Sequence, residues 1–155
     1  MSELDDLYQE ILLDHYRRPR NFGPLEGADR EVEGYNPLCG DRLRLQLRLD
    51  DGRIAELRFE GSGCAISTAS ASMMTEAARG LTVPQALDLA RRFQALVTGA
   101  PDAPPADELG ELAALGGVRE FPMRVKCATL AWHALRSALT GKDDRISTEE
   151  PVDSP

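Results

Sequence analysis

Amphipathic helices and one antiparallel hairpin share this chain, which predicts a mixed helix-and-sheet protein. The hairpin is the clearest sign. Leu43, Leu45, Leu47 and Leu49 alternate with Arg42, Arg44, Gln46 and Arg48, a period of two with one apolar face. Asp51-Gly52 supplies the turn, and Ala55, Leu57 and Phe59 alternate with charged residues on the return. The helical sign is apolar side chains recurring every three or four positions. It appears first at Leu4, Leu7, Tyr8, Ile11 and Leu12, and last at Ala128, Trp132, Leu135 and Leu139.

The elements follow in order. Pro19 stops the first helix, and a Gly/Pro-punctuated stretch with one edge strand around 30–34 leads to the hairpin. Gly61-Ser62-Gly63-Cys64 then forms a tight turn into a helix that Gly80 ends. Thr82-Val83-Pro84-Gln85 has the form of a capping box with Pro in the first turn. The helix it opens turns Val83, Ala86, Leu87, Ala90, Phe93 and Val97 inward and ends at Gly99. Three prolines in 100–107 mark a linker, and a short helix over 108–115 ends at Gly116-Gly117. The last helix is expected to begin near Val125 and to end at Gly141. The expected division is a domain over 1–141 and a disordered acidic tail over 142–155.

Length and charge narrow the function. A chain of 155 residues fits one domain that buries its core without disulfides. Eighteen Lys and Arg against 26 Asp and Glu give a net charge of −8, which argues against nonspecific nucleic-acid binding. No apolar run approaches the roughly 20 residues of a membrane span. The start, MSELDDLYQEILLDHY, lacks the basic and apolar regions of a secretory signal, so a cytoplasmic location is expected.

The three cysteines fall at telling places. Cys39 lies in the loop Asn36-Pro37-Leu38-Cys39-Gly40-Asp41, Cys64 at a helix start, and Cys127 in the expected first turn of the last helix. Helix starts favour thiolates, and Arg124 and Lys126 add positive field beside Cys127. Asp41 offers an oxygen two residues from Cys39. Three thiolates and one carboxylate suit a tetrahedral zinc shell, but spacing alone leaves a shared metal or redox site and three inert thiols both open. His15, His133, Trp132, Met73 and Met74 read as packing residues. Arg17, Arg18 and Arg20 read equally as a docking patch or as a solvated face.

Four stretches in order, LYQEILLDHYRRPRNFG, NPLCGDRL, FEGSGCAISTASASMM and FPMRVKCATLAWHAL, resemble the SufU/IscU family of iron–sulfur cluster assembly proteins, also known as NifU N-terminal-like. The resemblance runs from Leu7 to Leu135 and is closest to the SufU-type branch. IscU-type scaffolds carry a His immediately before the third cysteine, where this chain has Lys126, and an ammonium donates but does not ligate. Residues 81–117 also match the insertion typical of SufU-type members.

The resemblance implies an α+β fold: a small, mainly antiparallel three-stranded sheet with helices on one face and the cysteine loops converging at one end. It implies Cys39, Asp41, Cys64 and Cys127 as metal ligands, with Arg124 and Lys126 offsetting their charge. The implied function is that of a zinc-dependent sulfurtransferase. Its partner would be a pyridoxal-phosphate cysteine desulfurase of the SufS type, from whose persulfide Cys39 accepts sulfur for cluster assembly proteins downstream. The alternative is an IscU-like scaffold holding an iron–sulfur cluster at the same four positions.

Overall fold

The computed structural model describes residues 3–141 and 145–148. Helix α1 (Glu3–Arg17) precedes the strands β1 (Arg30–Asn36), β2 (Asp41–Asp50) and β3 (Arg53–Ser62). Helices α2 (Ala65–Ala78) and α3 (Val83–Thr98), a 3-10 run (Ala106–Glu120), helix α4 (Pro122–Thr140) and strand β4 (Arg145–Ser147) complete the order. Among the described residues, no helix is long and apolar enough to cross a membrane.

The alternation in β2 does what its period requires. Leu43, Leu45 and Leu47 turn inward, Arg42, Arg44 and Arg48 outward, and Leu45 pairs with Phe59 and Leu47 with Leu57 across the hairpin. A register shift falls between Arg48 and Leu49, where the alternation slips beside the turn. The inner face is closed by α2 and α4, so helices cover one side of the sheet. Trp132 of α4 stacks on Phe93 of α3, ring centres 4.4 Å apart, and its Nε1 donates to Ser70 Oγ of α2 at 3.1 Å. Trp132, Met73 and Met74 are core residues, as expected.

The sheet departs from expectation. It has four strands in the order β3-β2-β1-β4 and is mixed, because β4 runs parallel to β1. This strand comes from the segment expected to be a disordered tail, so the folded unit reaches at least residue 148. The rest of that tail, 142–144 and 149–155, lies outside the described residues. Gly34 opposite Ile146 makes the joint close: a Cβ there would lie 3.1 Å from Leu130 Cδ1 of α4.

Three helical expectations also shift. The short helix expected over 108–115 is a longer 3-10 run, broken at Gly110, where φ is +59°, and carried through Gly116-Gly117. Pro122 starts α4 earlier than Val125, since proline fits the first helical turn where no N–H is needed. On α1, Tyr8, Ile11 and Leu12 pack on the core, but Leu7 is 51% exposed and the side chain of Leu4 lies outside the described part. The capping box of α3 forms as expected, with Thr82 Oγ1 accepting from Gln85 N and Thr82 N donating to Gln85 Oε1. Residues 81–117 fold as α3 and most of the 3-10 run, contributing Phe93, Leu96 and Leu115 to the shared core.

Candidate metal centre

The β1–β2 connection builds one wall of the site. Asn36 ends β1 and faces Asp41, which begins β2, with four residues between them. Cys39 N donates to Asn36 O at 3.3 Å, and Gly40 takes φ of +72°, a conformation favoured by glycine. This turn leaves the Cys39 side chain exposed. Asp41 has the parity of Leu43, Leu45 and Leu47, so its carboxylate points inward and is 0% exposed.

Cys64 supplies a second wall. It is the N-cap of α2, its Sγ accepting from Ser67 N at 3.4 Å. Its backbone N–H donates to Asp41 Oδ1 at 3.0 Å. Gly63 is required for that approach, because a Cβ there would meet Asp41 Oδ1 and Ser67 Oγ at 2.6 Å each.

Cys127 closes the site from α4. Because the helix starts at Pro122, Cys127 stands in its second turn, 2% exposed, instead of in the first turn that was expected. The positive end of the helix therefore does not act on it directly. Burial pushes its thiol well above the ordinary range, and hydrogen bonding to Cys39 and Asp41 and the charge of Cys64 add to the rise. Cys127 Sγ lies 3.4 Å from Cys39 Sγ. One ligand atom each from Cys39, Asp41 and Cys127 falls within 4.8 Å of the others.

That trio suits a divalent, thiophilic cation. An edge of a tetrahedral site with Zn–S near 2.3 Å is about 3.8 Å, close to the sulfur–sulfur separation found. A bound cation would favour the deprotonated form of the two sulfurs and offset the charge of the buried carboxylate beside them. Cys64 stands outside the trio, with its sulfur turned to the end of α2, yet near enough to influence Cys127. Arg124 is exposed and Lys126 partly buried on the helix that carries Cys127.

Sequence reasoning missed Asn36, which reads as turn chemistry before Pro37. Its Nδ2 donates to Asp41 Oδ2 at 3.0 Å and approaches Cys127 Sγ at 3.6 Å. The signal available was its pairing across a four-residue hairpin with a proposed ligand. His15 is structural, as expected: buried, with Nδ1 2.7 Å from Ser72 Oγ and Nε2 3.2 Å from Glu111. His133 is partly buried, and burial holds its imidazole below the usual range.

An inward carboxylate at a strand start, a cysteine in the preceding turn and a second cysteine on the covering helix give an α+β domain whose converging side chains could hold a metal ion. The family described as the NifU-like N-terminal domain matches residues 7–140, and the chain belongs to it. Over 142 residues the chain is 42% identical to the zinc-dependent sulfurtransferase SufU of Bacillus subtilis, covering 92% of this chain and 95% of that protein. It is 45% identical over 139 residues to the iron–sulfur cluster assembly scaffold protein IscU of Streptococcus pyogenes, covering 90% and 86%. A crystal structure described as a putative SUF-system scaffold from Fervidobacterium islandicum superposes with a TM-score of 0.80 at 34% identity, covering 90% and 99%. The family is thus one of iron–sulfur cluster assembly, and its named relatives divide between sulfur transfer and cluster scaffolding.

Proposed function

We propose that this chain is a zinc-dependent sulfurtransferase that accepts persulfide sulfur from a pyridoxal-phosphate cysteine desulfurase of the SufS type and passes it to cluster assembly proteins. The observation that carries this reading is the pairing of one exposed thiol, Cys39, with a buried thiol and a buried carboxylate. The exposed thiol meets the partner while the buried groups stay fixed. Cys39, Asp41 and Cys127 would hold zinc, with Cys64 as the fourth ligand. When bound, zinc keeps its cysteine ligands deprotonated near neutral pH. Arg124 and Lys126 offset the excess negative charge of three thiolates and a carboxylate.

The transfer is thiol exchange. Cys39 thiolate attacks the terminal sulfur of the partner's persulfide, the partner's S–S bond breaks, and its thiolate leaves with the electron pair. A persulfide remains on Cys39, and no net oxidation occurs. Leu38 and Met123, both exposed, flank Cys39 and the start of α4 and offer apolar surface for docking.

Alanine release by the desulfurase, followed anaerobically as zinc-loaded protein is titrated in, tests this. The expected result is a saturable increase at catalytic amounts, lost in Cys39→Ala. No increase, with iron and sulfide instead accumulating at Cys39, Cys64 and Cys127, would establish the scaffold in place of the sulfurtransferase.

A further inference from the structure

The segment that follows the C-terminal strand reaches the candidate metal centre through the side chain of Asn36. Asn36 is 0% exposed and stands between three groups. Its Nδ2 donates to Asp41 Oδ2 at 3.0 Å and lies 3.6 Å from Cys127 Sγ, while its Oδ1 accepts from Thr148 Oγ1 at 2.9 Å. Thr148 also donates its own N–H to Tyr35 O at 3.0 Å, directly after the residues of β4 that pair with β1.

Donor and acceptor counting fixes how this amide must point. An ionised carboxylate only accepts, so the Asn36 nitrogen has to face Asp41. Its two N–H groups then match the two acceptors present, Asp41 and the Cys127 sulfur. The carbonyl oxygen is left facing the C-terminal strand, where the Thr148 hydroxyl donates to it. Asp41 is consequently held at both oxygens, Oδ2 by Asn36 and Oδ1 by Cys64 N.

We propose that Asn36 is a positioning residue of the metal centre, and that the C-terminal strand fixes its aim through Thr148. Asn36 touches two of the three converging ligands without being one of them. It orients the Asp41 carboxylate and partly offsets the charge on the Cys127 sulfur. β4 is thereby a strap on the site, attached 112 residues away in sequence. This inference rests on the zinc reading of the trio.

The test is metal binding, measured apart from sulfur transfer. Zinc affinity is obtained by competition with a chromophoric chelator, and cobalt(II) substitution reports ligand geometry through its d–d and thiolate charge-transfer bands. Asn36→Ala is expected to weaken zinc by roughly 10- to 100-fold, the range for groups that orient ligands from behind, and to shift the cobalt bands. Thr148→Val, which exchanges the hydroxyl for a methyl of similar size, is expected to cause a smaller loss in the same direction, and Thr148→Ser, which keeps the hydroxyl, to retain parental binding. Should Asn36→Ala fail to fold, the Thr148 pair decides. Parental affinity and cobalt spectra in the folded variants would overturn the positioning role alone. A parent chain that takes up neither metal would overturn the zinc reading and, with it, this inference.

Discussion

Exposure separates the three cysteines more sharply than chemistry does. Cys39 is exposed, Cys64 intermediate and Cys127 buried, with a thiol that burial keeps protonated. In chelator-treated protein, brief alkylation with iodoacetamide at neutral pH should therefore label Cys39 first and Cys127 last, because access and thiolate formation both favour the exposed thiol. Peptide mapping by mass spectrometry reads the order, and early labelling of Cys127 would contradict its placement. The residue scale is also where the sequence was most informative about chemistry. Cys39, Asp41 and Cys127 were recognisable as candidates, but Asn36 was not, since its role depends on which way an amide points. Cys64 was placed correctly at a helix start, although its sulfur caps that helix and stands outside the closest group.

At the scale of elements, two contacts tie neighbouring segments together. The first pins the end of α1, where Asp14 accepts from Arg18 and Arg20. This pairing accounts for two members of the basic patch. Their guanidinium hydrogen bonds lower the Asp14 carboxyl from its ordinary 3.8 to about 2. A carboxyl held lower in the folded state stabilises above its unfolded value and loses that contribution as pH falls from 3.8 toward 2. In unfolding titrations followed by circular dichroism, Asp14→Asn should lower stability at neutral pH and flatten its dependence between pH 3.8 and about 2, so that parent and variant converge in acid. The second contact is the Phe93–Trp132 stack, which ties the segment between the second and third cysteines to the helix carrying Cys127. Phe93→Ala should cost about 3–5 kcal/mol in denaturant unfolding, the range for large aromatic truncations in a core. Strands and helices with strong periodicity were legible from sequence. The start of α4 was not, because Pro122 precedes the apolar stripe that identified the helix.

The whole molecule joins distant parts of the chain around one small centre. The hairpin provides an inner apolar face, α2 and α4 cover it, and the metal-ligand candidates meet where the β1–β2 turn, the start of α2 and α4 come together. Local pattern was sufficient for the hairpin and for the mixed α and β character. It was insufficient for β4, whose Arg-Ile-Ser has only one apolar residue and whose partner strand lies more than a hundred residues earlier. Parallel pairing of this kind leaves no turn signature at all, since the connection is long.

The 88-residue separation between the two sulfurs that meet at 3.4 Å also orders events during synthesis. At ordinary elongation rates, Cys127 is made on the order of 4 to 18 s after Cys39. During that interval a nascent chain carries Cys39, Asp41 and Cys64 without the helix that closes over them, so two thiols stand unenclosed until α4 is made. The trio of Cys39, Asp41 and Cys127 is consequently complete only once α4 has followed the hairpin, and the chain is most open to oxidants before then.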